Sequence, residues 1–136
     1  MYKQLRPIDL ISAVQQAVES GTDKTCYDAV PENAPSPFYF AELVGIRAAP
    51  TKTMYRDIFT VQIHSIASEG ASNVEVYKMI QELNEALTED IVLPEGFDLL
   101  MQSSLGLLTI KTDETNERHA INEYEFTVCY GFKVKI

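Results

Sequence analysis

A chain of 136 residues, 46% hydrophobic, has enough apolar side chains for one buried core and too many for a disordered segment. Its net charge of −9 excludes gripping DNA or RNA by phosphate neutralisation, which needs clustered lysine and arginine; here the 11 basic residues are scattered from Lys3 to Lys135. Two cysteines, Cys26 and Cys129, without CxxC spacing, argue against a disulfide scaffold or a zinc site and fit a reducing compartment.

Pro7 suits the first turn of a helix, and Ile8, Ile11, Val14 and Val18 recur at helical spacing, so a helix is expected over Pro7–Ser20 with Gly21 as its stop. No apolar run follows the basic residues of the opening segment, so a secretory signal is not expected, and no run approaches the roughly 20 residues of a membrane span. Cys26–Val30 reads as a short strand. The prolines of "PENAPSP", Pro31–Pro37, then favour turns and extended backbone. Phe38–Ile46 is aromatic, β-branched and almost continuously apolar, as in a strand buried on much of both faces. "AAPTKTMYRD", Ala48–Asp57, reads as a polar loop. Phe59, Val61 and Ile63 alternate with Thr60, Gln62 and His64 in a further strand that ends near Gly70.

Ser72 and Glu75 have capping-box spacing, with Ser72 capping the Glu75 amide and Glu75 reaching back. Val76, Met79, Ile80, Leu83 and Leu87 follow as one apolar stripe, predicting a helix over Asn73–Thr88 that packs on the last strand. Leu99–Thr112 is an apolar strand with Gly106 as a bulge candidate, and "TDETNERHA", Thr112–Ala120, is a charged connection. In the last strand Tyr124, Phe126, Val128, Tyr130, Phe132 and Val134 face one way, and Glu123, Glu125, Thr127, Cys129, Gly131 and Lys133 the other. Some thirteen residues at roughly 3.3 Å each span about 40 Å, so this strand curls strongly or reaches a neighbour. The order predicts a single α+β domain over residues 1–136: an antiparallel or mixed sheet of four to five strands with two main helices packed on one face.

The chain shows no catalytic, cofactor or metal motif. His64 lies on the polar side of a strand and His119 in the charged connection; neither is tied to Cys129 by a local motif. Asp113, Glu114, Glu117 and His119 lack the glycine and terminal glutamate of a calcium loop, and no Gly-rich phosphate cradle occurs. Long strands, a proline-rich segment and polar loops suit self-association better than a pocket. Pro31–Pro37, Ala48–Asp57 and Thr112–Ala120 are expected to be flexible in the free subunit and to order against partners. Tyr55 and Arg56 are the anchor candidates, since such residues dominate interface energetics; Pro35, Asp113, Glu114, Glu117 and His119 complete the interface candidates.

Five stretches carry a resemblance: "CYDAVP" (Cys26–Pro31), "PSPFYFAELVG" (Pro35–Gly45), "FTVQIHSIAS" (Phe59–Ser68), "VYKMIQELNEAL" (Val76–Leu87) and "HAINEYEFTVCYGFKV" (His119–Val134). Over nearly its whole length the chain resembles the phage tail terminator and tail-completion proteins. The resemblance implies a structural virion protein, not an enzyme. It implies a hexameric ring of copies at the head-proximal end of the tail tube, assembled in the host cytoplasm. The tube protein and the head connector or stopper would be its partners, with DNA passing through the ring unbound. The proline segment would then be the crossing into the sheet, and Asp113, Glu114 and Glu117 would face DNA at a lumen or rim. A head-closure or tube subunit on a similar fold, and a cellular α+β binding module, are the alternatives.

Overall fold

The computed structural model describes residues 2–133, so Val134 of the aromatic stripe lies outside the described residues. Helix α1 (Pro7–Thr22) leads to β1 (Cys26–Tyr27), β2 (Phe38–Ala48) and β3 (Met54–Glu69); α2 (Asn73–Ala86) then precedes β4 (Asp98–Thr112) and β5 (Glu117–Phe132). The five strands form one sheet in the order β1-β2-β3-β5-β4. Only the β1–β2 pair is parallel; the other pairs are antiparallel. The fold is therefore α+β with a mixed sheet, as the sequence implied.

Alternation decides which sheet face is buried. Phe59, Val61 and Ile63 of β3 pair with Phe126, Tyr124 and Asn122 of β5, and this row is buried. Leu10, Val14 and Val18 of α1 and Val76, Met79 and Leu83 of α2 complete the core against it. Phe126 and Val128 are buried there, as the α2 stripe predicted; Ile80 is only partly buried. Two tyrosines reconcile polar tips with this core. The Tyr39 hydroxyl donates to the Met79 carbonyl at 2.7 Å, and the Tyr124 hydroxyl reaches Asn84. Gln102 of β4 fixes the segment after α2, accepting from the Ile91 amide and donating to the Leu87 and Glu89 carbonyls.

Several local expectations are corrected. Gly21 is not the stop of α1: the helix runs to Thr22, and Asp23 takes the left-handed conformation at φ 60°. Gly21 instead marks the close crossing of α1 on α2, where a Cβ would stand 2.4 Å from the Ala86 Cβ. The capping box is half made. Ser72 accepts from the Val74 amide, but the Glu75 carboxylate turns to the Ser68 amide and hydroxyl, donors left at the end of β3. The expected loop over Ala48–Asp57 shrinks to a turn after Ala48, because β3 begins at Met54. Thr51 closes that turn by accepting from the amides of Thr53 and Met54. The connection over Thr112–Ala120 shrinks likewise, with β5 beginning at Glu117.

Leu83 has no exposed surface, so Leu83→Ala should cost about 2–5 kcal/mol in urea unfolding. Gly21→Ala should lose roughly 1–2 kcal/mol in the same assay, despite alanine's better helix propensity, because the added methyl overlaps Ala86.

Candidate functional site

Tyr55 and Arg56 stand on β3, at the end of the sheet where β2 turns into β3. The Tyr55 ring lies between Tyr2, with centroids 5.3 Å apart, and Tyr130, at 5.8 Å, and the Lys133 ammonium sits 5.1 Å from its centroid. Arg56 donates through Nε to the Ala49 carbonyl at 2.9 Å. Both side chains are half-buried and tied within the chain rather than carried on a free loop. A bulge at this point, between Tyr55 and Arg56, interrupts the alternation of β5 and leaves Phe132 exposed. Pro35 is exposed in the segment between β1 and β2, beside a cis Ser36–Pro37 bond.

At the opposite end of the sheet, Asp113, Glu114, Glu117 and His119 come together around the β4–β5 turn. Asp113 organises it: its Oδ1 accepts from the amides of Thr115 and Glu117, both at 3.0 Å, and from the Thr115 hydroxyl. Partial burial would raise the Asp113 pKa, but these bonds outweigh it and hold the carboxyl below its ordinary range. Asn116, at φ 63°, closes the turn. Glu114 is exposed, and Glu117 and His119 are half-buried on β5.

His119 is thus a strand residue, and it meets the other histidine of the chain. His64 Nδ1 and His119 Nε2 are 2.6 Å apart on the sheet face away from the helices, next to the Phe40 ring. One ring must donate and the other accept, so a single N–H is shared. His64 is buried; burial, then the neighbouring His119 and Lys111, depresses its pKa from 6.5 to about 4. His119 is also lowered, by burial and Lys111, with Asp113 and Glu117 opposing. Both rings are therefore neutral near pH 7. His119, placed by sequence in a charged connection, is instead half-buried on β5 and in contact with buried His64. Sequence spacing gives no sign of it, because the rings meet diagonally across β3 and β5, where Ile66 pairs with His119 and His64 with Ile121.

The cysteines are apart from this pair in character. Both are free and buried, and burial, with Glu19 and Asp28 adding, pushes the Cys26 thiol up to about 12, which removes thiolate character. Among the described residues no group of three His, Cys, Asp or Glu side chains could hold a metal ion. The concave features are open grooves. One between the helices is floored by Ala13, Ala17, Gly21 and Ala86 and rimmed by Glu85 and Glu89. Another, of about 480 Å³, lies between α2 and β4 and is lined by Tyr77, Ile80, Thr88 and Leu107.

The largest feature that sequence reasoning missed is the face β4 shows to solvent. Leu100, Met101, Leu105, Leu107 and Leu108 are all between 42% and 61% exposed. The doubled leucines of "DLLMQSSLGLLTIK" are the signal that could have found it, since they break strict alternation.

The histidine pair sets an acid limit on stability. An unfolded histidine titrates near 6.5 and His64 in the fold near 4, so between these values the unfolded chain binds more protons. The pair's contribution is complete above about pH 6.5 and is lost as pH falls toward 4. Between about pH 7.5 and 5, urea unfolding of the natural chain should lose up to ~2 kcal/mol more than His64→Phe, whose ring cannot titrate.

Comparison with known proteins bears on this arrangement. No curated protein sequence matches the chain. Among solved structures it is similar to a chain in the virion of a native gene transfer agent particle, with a TM-score of 0.67 and 21% identity, over 89% of this chain and 95% of that one. At that identity the likeness concerns the fold. The family model for tail termination proteins matches residues 1–136, the whole of the sequence. The chain therefore belongs to the phage tail terminator family, whose members are structural proteins of the phage tail.

Proposed function

We propose that copies of this protein form a ring, hexameric in number, at the head-proximal end of the tail tube, where it stops tube growth and joins the tail to the head connector. The observation that carries this reading is the whole-length family match. The domain beneath it fits, because its most prominent surface is an apolar strand edge suited to protein contacts. The sheet face away from the helices supports passage of DNA. Glu42, Gln62 and Glu123 share one register row there, Glu125 stands beside Thr60 and Ser103, and Glu117 continues the strand. Carboxylates lining a lumen repel phosphate and keep it from sticking. Asp113 and Glu114 would extend that charge to the rim at the β4–β5 turn. Tyr55, Arg56 and Pro35 remain proposed contacts with the tube or connector, and His119 a proposed contact beside the histidine pair.

Electron microscopy of purified protein mixed with tail tubes tests the reading. Decoration of one tube end, with growth arrested there, is the expected outcome. Incorporation along the tube points to a tube subunit, and absence of binding removes the reading.

A further inference from the structure

The sheet has two different open edges, and each displays apolar residues by the same device. Among the described residues β4 pairs only with β5, and its Asp98–Thr112 spans the length of Arg118–Cys129 by means of three bulges. The extra residue at each bulge is a leucine: Leu100, Leu105 and Leu108. At the other side of the sheet, β1 covers only Tyr39 and Phe40 of β2, so among the described residues the rest of β2 has no outer strand. A bulge in that stretch, between Leu43 and Gly45, puts out Val44, and Ile46 follows; both are exposed.

The charges on the two edges are opposite at the end of the sheet that carries Asp98. The register places Asp98 beside Cys129 and Arg56, at the end of the sheet where β2 carries Arg47. Asp98 is exposed, as are Glu95 before it and Glu85 on the adjoining helix. Arg47 is exposed too, although it pairs with its own Glu125 at 3.1 Å, and Lys52 follows it on the turn. At the far end β4 carries exposed Lys111, level with His119 and Ile66, and Lys78 is exposed on α2. On the opposite edge the acids lie nearer the middle: exposed Glu42 is level with Gly106, and exposed Asp28, just beyond β1, stands by Ala41 in the row of Leu107. β4 thus runs acid, apolar, base, while the β2 edge starts with base at the Asp98 end and carries its acids at mid-sheet.

We infer that the β4 edge of one copy docks against the β2 edge of the next, with the same ends of their sheets aligned. This inference rests on the ring reading and supplies its subunit contact. Two different patches on one chain make a heterologous contact, which closes into a ring or grows into a filament. The bulges twist the β4 ladder and spoil continuous pairing between copies, so the contact is made by side chains. The groove of Tyr77, Ile80 and Leu107 behind the leucines extends the apolar surface for the neighbour. Charge alignment fixes direction, since a flipped neighbour sets like charges together.

Paired cysteines read the contact directly. Purified Val44→Cys/Leu105→Cys protein is treated with a short bismaleimide, free and on tail tubes; the buried Cys26 and Cys129 stay unreactive. A covalent ladder from the double variant, with neither single variant linking beyond background, is expected. Dimers from Leu105→Cys alone mean that β4 meets β4, and no ladder under either condition means that the edges do not meet; each overturns the inference. A charge swap is the second arm. Asp98→Arg alone should weaken association roughly tenfold or more, and adding Arg47→Glu should restore it. A double variant as weak as the single ones overturns the pairing of ends. Protein that caps tubes without giving a ladder removes this contact and leaves the ring reading, whereas a ladder from protein that never binds tube ends does the reverse.

Discussion

The antiparallel pairing of β3 with β5 is the constraint on which everything else depends. The pairing runs from Met54 opposite Phe132 to Glu69 opposite Glu117, and each strand is flanked by a further strand on its other side. Because side chains alternate, one register choice sends Phe59, Val61 and Ile63 toward the helices with Tyr124 and Phe126. A slip by one residue would put Gln62, Glu123 and Glu125 into the core, so burial fixes the register firmly. The helices then follow. α2 lies over β3 and β5, α1 lies over β1 and β2, and the Gly21–Ala86 crossing sets how closely the two approach.

A filled centre leaves the periphery short of partners. β1 pairs through two residues, and among the described residues β4 has a neighbour on one side alone. A long, flat, apolar edge is an aggregation hazard, and natural proteins blunt such edges with bulges. β4 has three, yet it fills each with leucine where a charged residue would serve solubility better. The strand is therefore defended against continuous pairing and remains adhesive through its side chains. That combination is sensible for a surface that must meet one specific partner, and wasteful for one that stays in water.

The parts legible in sequence are those where one period dominates. The α2 stripe and the alternation of β3 and β5 follow directly from burial on one face, and the α+β layering follows from their order. The shortened turns were harder. Met54–Asp57 and Glu117–Ala120 look polar because they lie at the sheet's ends and on its helix-free face, where strand pairing is decided by the partner across the ladder. Gly21 and Glu75 were misread because a local rule competed with a distant contact: Ala86 for the glycine, Ser68 for the carboxylate. Of the interface candidates, Asp113, Glu117 and His119 do gather at one turn, and Tyr55 and Arg56 at the opposite end, but the His64–His119 contact and the β4 leucines depend on register. A strand read alone cannot say which of its faces is covered; β4 is apolar in sequence and mostly surface in the fold.

Net charge and edge chemistry meet in the proposed assembly. Copies carrying −9 each repel at long range, and at physiological ionic strength that repulsion is screened beyond roughly 8 Å. Encounter is therefore opposed by the total charge, while docking is governed by whatever lies within a few ångströms of the edges. The edges are built for that range, with leucines at the middle and opposite charges, Asp98 and Arg47, at one end. The short turns matter here too. Asp113 and Thr51 already tie the hairpin ends, so a docking subunit has little backbone left to order at these sites, and less of the contact energy is offset by lost entropy. In the proposed assembly a preformed acidic subunit with narrow adhesive edges would associate in one orientation. In the proposed ring an edge contact would leave the carboxylates of the helix-free face uncovered, so their repulsion for phosphate would persist.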